Sequence, residues 1–413
     1  MKIAVVSPSY PPFNAGGVCS AHFNLGKALQ EAGYEIAFFT YEDSCCDATD
    51  PPYLTRRGMA QWCAKLLSWG CHLLFHFIDR GKCAYQTCDI LKSQWGAWRV
   101  RRALKKFQPA IVILPDRGCP ALAIGHLHGV KSIVVSHHNP ARFISPLLQG
   151  RNVSAIDIRW ALALENYALR RVDMMLCPTA YMAEEAKKTY RFSFDAIRVA
   201  PNVLSGEAFI NVYPRSVAQK LGYSEDFPVV YIPDAGSSVK GERYVFEVVR
   251  RISVACPNTL FLLTGTIGPV LEYELGFNAT LRDKIYMPGR LSYLDNLAHI
   301  ASCTLCVSPT LAESFGMALI EAAYFGVPAV TFNTGGNAEI VESGVTGVLV
   351  PYLDVDALVD RAIYLLSPAQ DAQRAAWGAA AKMKAHMLLR SGLRQYEVAI
   401  HELLEKKNSC QRP

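Results

Sequence analysis

The sequence predicts an α/β protein built from two doubly wound, parallel-sheet domains. Three observations predict it. Short apolar runs of Val, Ile and Phe recur between longer amphipathic segments, the pattern of a parallel sheet covered on both faces by helices. The runs form two series, one in each half of the chain. A length of 413 residues exceeds what one hydrophobic core usually serves, so two cores are expected.

In the first half the strand candidates are 3–7, 35–40, 110–114, 132–136, 174–177 and 197–200. In the second they are 229–232, 260–264, 284–287, 304–307 and 329–332, separated by helical segments such as 243–254 and 314–324. Each series reads as one doubly wound unit. The junction falls in 206–228, where Pro214, Gly222 and Pro228 lie among polar residues with room for one short helix. Residues 381–407 have helical composition and no strand pattern, so one or two terminal helices are expected to cross back to the first domain. The expected domains are therefore 1–205 and 206–388, with 389–413 a C-terminal helix packing on the first.

Hydrophobic residues make up 51% of the chain and charged residues 19%, a globular composition. The net charge of +6 is unevenly placed: residues 1–205 hold 24 Lys and Arg against 15 Asp and Glu, and residues 206–413 hold 18 against 21. An anionic partner or membrane surface would meet the first half; the other reading is a solvated basic face. Nothing in the pattern points to nucleic acid.

Thirteen cysteines, an odd number with irregular spacing that includes Cys45-Cys46, do not form a disulfide framework. They fit a reducing compartment, so the expected location is cytoplasmic. Cys303 and Cys306 lack the second pair or paired histidines that a zinc site requires. The first apolar run, Ile3 to Val6, is too short for a signal-peptide core and reads as a buried strand. The nearest approach to a membrane span, 62–78, is broken by Lys65, His72 and His76.

Residues 41–106 match no nucleotide-site element. They combine a Cys/Asp/Pro loop, an apolar-aromatic segment at 62–77 and the basic run Arg99, Arg101, Arg102, Lys105 and Lys106. Aromatics with clustered cations suit contact with anionic lipid at the inner face of a membrane. A packed helix pair with a solvated basic side is the alternative.

The strongest chemical signal runs from Ser308-Pro309-Thr310 through Glu313-Ser314-Phe315-Gly316-Met317-Ala318-Leu319-Ile320-Glu321 to Gly326-Val327-Pro328. A strand ends at Ser308, a loop follows, and the apolar spacing predicts a helix whose first free N–H groups come from about Phe315 to Ala318. A helix amino end after the carboxyl end of a parallel strand is a diphosphate site, because unpaired amides and the helix dipole favour negative charge. Glu313 and Glu321 lie eight positions apart, roughly 12 Å at helical rise, about the span from a donor sugar ring to its ribose. Glu313 could accept from sugar hydroxyls and Glu321 from ribose hydroxyls; in isolation both could equally be solvated helix carboxylates.

This segment resembles the Glu-x7-Glu region of the family-four group of retaining glycosyltransferases. The next stretch, Asn333-Thr334-Gly335-Gly336-Asn337-Ala338-Glu339 with Gly344 and Gly347, resembles the Gly-Gly-x-x-Glu stretch that follows it there. The resemblance implies the GT-B fold: two facing Rossmann-like domains with an interdomain cleft, donor in the second domain and acceptor in the first. It also implies a nucleotide diphosphate sugar as donor, a glycan, lipid-linked or small-molecule acceptor, retention of configuration, and no metal or other cofactor.

Three further segments carry the likeness. Pro233-Asp234-Ala235-Gly236-Ser237-Ser238-Val239-Lys240-Gly241 places Lys240 where the family has a lysine that neutralises the departing diphosphate. Ala235 stands where the family usually has an arginine, so either another cation, Arg290 or Arg243, assists Lys240 or the leaving group is less stabilised. Pro11-Pro12-Phe13-Asn14-Ala15-Gly16-Gly17-Val18 resembles the glycine-rich loop that brings Gly16 and Gly17 to the donor; read alone it could be a packing turn or part of a dinucleotide site.

Ser136-His137-His138-Asn139-Pro140 places His138, in better register than His137, near the transferred sugar, where a neutral imidazole can hydrogen-bond. Donor contacts are thus expected from Gly16, Gly17, Lys240, Arg290, Phe315, Gly316, Met317, Leu319 and Glu321, with His138, Lys240 and Glu313 at the reacting centre. Glu165, Cys177-Pro178-Thr179 and Arg198-Val199-Ala200-Pro201-Asn202-Val203 match more weakly, and the last lacks the glycine usual after its asparagine.

The rival readings are a sugar-nucleotide epimerase or phosphorylase of the same architecture, a non-catalytic sugar-nucleotide-binding protein, which Ala235 favours, and an NAD-dependent oxidoreductase resting only on the doubly wound pattern and Gly16-Gly17.

Overall fold

The computed structural model describes residues 1–10, 16–43, 54–79, 82–140, 154–204, 209 and 212–409. The segment 11–15, most of the Cys/Asp/Pro loop and part of the 206–228 junction lie outside the described residues. The chain divides into one unit of residues 1–205 with 389–413 and another of residues 206–388.

The first unit holds seven strands: β1 Lys2–Ser7, β2 Glu35–Thr40, β3 Leu54–Arg56, β4 Ile111–Pro115, β5 Lys131–Val135, β6 Met174–Cys177 and β7 Ile197–Val199. Their order is β3-β2-β1-β4-β5-β6-β7, every neighbour parallel. Residues alternate between two buried layers. Ala4 and Val6 join Phe39, Val112 and Leu114 on one face; Ile3 and Val5 join Phe38, Ile111 and Ile113 on the other. Covering both faces is what makes these strands continuous apolar runs instead of alternating ones.

Part of one cover comes from far along the chain. Tyr396, Ala399, Ile400 and Leu403 belong to the Ile3/Val5 layer. They lie on a single helix, Asp371–Ser409, which replaces the expected 381–407 segment. It passes close to the chain at Gly392, where a Cβ would stand 2.5 Å from the Pro201 carbonyl oxygen.

The second unit holds β8 Val229–Ile232, β9 Leu260–Leu263, β10 Ile285–Tyr286, β11 Leu305–Ser308, β12 Ala329–Phe332 and β13 Gly347–Val350. Their order is β10-β9-β8-β11-β12-β13, again all parallel. The helix Glu242–Ala255 buries Val245, Val248, Val249 and Ile252, one face at helical spacing.

In each sheet the strand order reverses once, between β1 and β4 and between β8 and β11. Loops leaving such neighbours turn to opposite faces and open a crevice at their carboxyl ends. The edge strands β3 and β13 had no sequence counterpart: β3 is three residues long, too short to show a period, and β13 opens on a glycine inside the Gly-rich motif.

Candidate active site

In the second unit three loops converge at the β8/β11 reversal. After β8 the chain makes a 3-10 turn, Ser238–Lys240, then Gly241 at φ 84°. A side chain at Gly241 would put its Cβ 2.0 Å from the Pro309 carbonyl oxygen, so glycine is required both for its left-handed backbone and for close approach. The Leu311 N–H donates to the Val239 carbonyl at 2.8 Å, joining the loops after β8 and β11. This junction brings the Lys240 ammonium onto the Glu313 carboxylate in a direct ion pair, both side chains largely buried.

The loop after β12 closes over the same carboxylate residue. The Glu313 carbonyl accepts from the Gly336 N–H at 3.1 Å. Gly335, at φ 54°, lies so near that a Cβ there would be 1.9 Å from the Glu313 carbonyl oxygen. Gly335 is therefore what lets the loop reach Glu313, and Gly336, with ordinary helical angles, supplies only its N–H.

The helix of the Glu-x7-Glu segment spans Met317–Tyr324, opening two residues later than the sequence predicts because Gly316, at φ 98°, is its cap. The first bond inside it runs from the Ile320 N–H to the Gly316 carbonyl at 3.0 Å. Its amino end thus presents the amides around Met317 to Leu319, with Phe315 buried just before. The adjoining Asn337 amide donates to Thr331 Oγ1 and to the Phe332 carbonyl, each at 3.0 Å. Its buried Oδ1 has no hydrogen-bond partner among the described residues and lies 3.6 Å from where a Gly316 Cβ would be.

Glu321, one turn into this helix, is buried. Burial pushes its carboxyl up to about 8, against the pull of a hydrogen bond from Tyr293 and the charge of Lys240. Glu321 is consequently a neutral acid at neutral pH. The Lys240 charge thus acts on both acids of the motif, Glu313 by direct contact and Glu321 through space. A cation, a helix amino end and two acids in one place can hold a diphosphate flanked by hydroxyl-bearing groups. Arg290 is exposed on a bend after the edge strand β10, and Arg243 is exposed in the first turn of Glu242–Ala255. Ala235 is fully buried, its N–H on the Thr264 carbonyl at 2.9 Å.

In the first unit the polar groups gather after β1, β4 and β5. Gly16 caps the helix Gly17–Glu31 with ordinary extended angles, and among the described residues nothing stands within 4 Å of a Cβ at Gly16 or Gly17. Among the described residues neither backbone strain nor packing requires these glycines. Asp116, just past β4, accepts at Oδ2 from Ser136 Oγ at 3.0 Å and from the N–H groups of His138 and Asn139 at 2.8 and 3.2 Å. It shapes the turn that carries His138.

His138 is partly exposed, and its Nε2 lies 2.8 Å from Gln86 Oε1. Since Gln86 presents an acceptor, Nε2 carries the proton. Gln86 opens a helix, Gln86–Phe107, whose first amides are taken by Asp157: the N–H groups of Tyr85, Gln86 and Thr87 donate to its carboxylate at 2.8 to 2.9 Å.

His137 is buried, its Nε2 2.8 Å from Asn202 Oδ1. Its ring is 5.6 Å from that of His22, whose Nδ1 lies 2.9 Å from the Val6 carbonyl. Burial holds both histidines below their usual value, His22 at about 3, so both are neutral. Glu165 is buried under the Tyr190 hydroxyl at 2.7 Å, and burial raises its carboxyl well above the usual range.

The structure therefore brings together Lys240, Glu313, Glu321, Phe315, Gly316, Met317 and Leu319 in the second unit, and in the first places Gly16, Gly17 and His138 at strand carboxyl ends. Tyr293, Asp116 and Gln86 were missed. Asp116 had a usable signal, an acid two residues past the strand run 110–114; Tyr293 and Gln86 reach their partners only through the fold. Among the described residues no group of three or more His, Cys, Asp or Glu side chains is placed to hold a metal ion.

A model of the glycosyl transferases group 1 matches residues 216–384, and a model of glycosyltransferase family 4 matches residues 15–205. The chain is 24% identical over 394 residues to a glycogen synthase of Mycobacterium tuberculosis, covering 91% of this chain and 88% of that protein. It is 29% identical over 370 residues to an N-acetyl-alpha-D-glucosaminyl L-malate synthase of Bacillus anthracis, covering 89% and 88%. In fold it is similar to sucrose-phosphate synthase from Thermosynechococcus elongatus, with a TM-score of 0.73 at 18% identity over 98% of this chain and 99% of that one.

Proposed function

Because the chain belongs to the group 1, family-four glycosyltransferases of GT-B fold, we propose that it is a retaining hexosyltransferase using a nucleotide diphosphate sugar bound by its second unit. The observation that carries this reading is the Lys240–Glu313 ion pair beside the amino end of Met317–Tyr324, with Glu321 one turn further on.

The chemistry asks for charge to be taken up as the nucleotide leaves. Lys240 and the amides from Met317 to Leu319 supply fixed positive potential at that point, with Phe315 and Gly316 shaping the approach. A cation and amides already in place are what a metal would otherwise provide, so this reading calls for no cofactor. Glu321 takes the ribose hydroxyls and Glu313 those of the sugar. In the first unit His138 is assigned to the sugar or acceptor, and Gly16 and Gly17 to close approach of the donor, which their open surroundings favour. Arg290 is assigned a secondary place, as one of two candidates with Arg243 to stand in for the arginine that Ala235 replaces.

Retention rests on the family. The relatives' names span a polymer and a small-molecule product, so the acceptor is given only as a glycan, lipid-linked or small molecule, in surface polysaccharide or glycoconjugate synthesis. The proposed location is cytoplasmic, on the cysteine content.

Donor turnover across a panel of nucleotide sugars tests the proposal. Turnover by the wild type and loss with Lys240→Ala support it; unchanged nucleotide affinity in Glu321→Ala counts against the ribose assignment. The buried Ala235 favours a second reading, a sugar-nucleotide-binding protein without activity, and slow donor hydrolysis in the absence of acceptor would remove it.

A further inference from the structure

The helix Gln61–Ile78 buries Cys71 and Phe75 in the first unit, with Phe75 5.4 Å from Trp160, ring to ring. It packs on Gln86–Phe107 through Ser68 beside Cys88, at 3.6 Å, and His72 beside Tyr85, at 5.5 Å between rings. The opposite face is apolar and open. Trp62, Leu66, Trp69, Leu73 and Phe77 recur at steps of four and three residues and are 42 to 76% exposed. A contiguous row of this kind marks a surface that works against something apolar.

The two contacts make the helix pair antiparallel, so the amino end that carries Trp62 lies beside the middle of Gln86–Phe107. That stretch exposes Trp95 and Trp98, and the Arg102 guanidinium stacks 3.5 Å over the Trp98 ring. Arg102 also belongs to an open groove of about 850 Å³, where among the described residues Arg57, Arg99, Arg102 and Lys106 face one carboxylate, Glu35. From Leu54 to Ile78 the chain has no acidic residue.

We infer that this face docks on a bilayer surface containing anionic lipid, with the Trp62-to-Phe77 row in the headgroup and upper acyl region and lipid phosphates in the Arg57/Arg99/Arg102/Lys106 groove. Charge decides between occupants. A second copy of the chain would satisfy the apolar row but set two basic grooves against each other. An anionic monolayer satisfies both: aromatic rings settle at headgroup level and cations beside them bind phosphate. The helix lies on the bilayer and does not cross it: its inner face is covered by its own unit, and no described helix is long and apolar enough to span. The inference does not depend on the donor chemistry.

Flotation of the full chain with phosphatidylcholine vesicles, with and without phosphatidylglycerol, tests it. The wild type should float with the anionic vesicles and stay behind with phosphatidylcholine alone. Trp69→Ser with Phe77→Ser should abolish flotation. Arg102→Glu with Lys106→Glu should weaken it on the order of tenfold or more, in proportion to the cations removed. All four positions are on the surface, so melting temperature and donor turnover should hold, which separates lost docking from lost folding. Flotation indifferent to phosphatidylglycerol would overturn the inference. So would a lipid-free dimer in sedimentation velocity that Trp69→Ser dissolves while vesicles remain unbound.

Discussion

The loops at the carboxyl ends of the two sheets solve opposite problems. In the second unit the side chains carry charge: Lys240 is ionised against Glu313, and Glu321 waits as a buried acid near that charge. In the first unit His137 and, on the helix Gly17–Glu31, His22 are buried and neutral, and one oxygen of the Asp116 carboxylate is spent on backbone amides and a hydroxyl. The difference teaches that one set of loops concentrates charged side chains while the other is built from neutral rings and hydrogen bonds. The Lys240–Glu313 pair keeps a minor part of its surface open, whereas Asp116 turns Oδ2 to three donors and leaves Oδ1 buried without a partner among the described residues.

The largest expected effect breaks the charged side of this contrast. Lys240→Ala should lower kcat on the order of 10²-fold or more while leaving the fold intact, as when a single electrostatic stabiliser is removed. Initial rates with saturating donor, beside a melting curve, check it. The reverse pattern, full rate with reduced stability, would move Lys240 from the chemistry to the scaffold.

Asp116→Ala tests the structural side. It leaves buried donors of Ser136, His138 and Asn139 without their acceptor, so stability should fall by about 2–4 kcal/mol in urea unfolding. Gly335→Ala combines a left-handed backbone with a Cβ 1.9 Å from the Glu313 carbonyl oxygen. It should cost about 1–3 kcal/mol and lower donor affinity with it.

The dependence on pH separates the two sites with opposite signs. His22 has its folded value lowered from 6.5 to about 3. Below 6.5 the unfolded chain binds a proton that the native site refuses, so His22 removes stability as pH falls toward 3. Glu321 has its folded value raised from 4.5 to about 8. Its contribution is complete below 4.5 and is lost as pH rises through 8. Relative to wild type, His22→Gln should therefore gain stability on the acid side, and Glu321→Gln on the alkaline side.

If the Glu321 carboxylate accepts from ribose, nucleotide affinity of the wild type should also rise through about 8 and stay flat in Glu321→Gln. The smallest effect is expected from Gln86→Leu, which removes the amide oxygen facing the His138 ring. KM should change a few-fold with little change in kcat, and proton NMR of the ring should show its tautomer released.

Much of this was legible in the chain. Val229–Ile232 reads as a buried strand because four apolar residues in a row fit a strand covered on both sides, and Ala329–Phe332 because Thr331 alone interrupts its apolar run. The Glu313-to-Glu321 segment, read with its resemblance, marked a helix amino end after a strand, and the fold places it there. The boundary at Met317 was not legible, because Phe315 and Gly316 continue the apolar spacing while the φ of 98° at Gly316 ends it. Nor was β3, whose three residues acquire strand geometry only by pairing with Phe38, Phe39 and Thr40.

By itself, then, the sequence determined what depends on neighbours along the chain: α/β class, two parallel sheets, and loops rich in glycine and charge after particular strands. Only the tertiary structure decided which loops meet. Lys240 finds Glu313 across 73 positions and Gln86 finds His138 across 52. Periodicity reports which face of an element is apolar, not which strand will lie beside it. The reversal of strand order between β8 and β11 is settled by packing the whole sheet, and that reversal sets the lysine against the carboxylate.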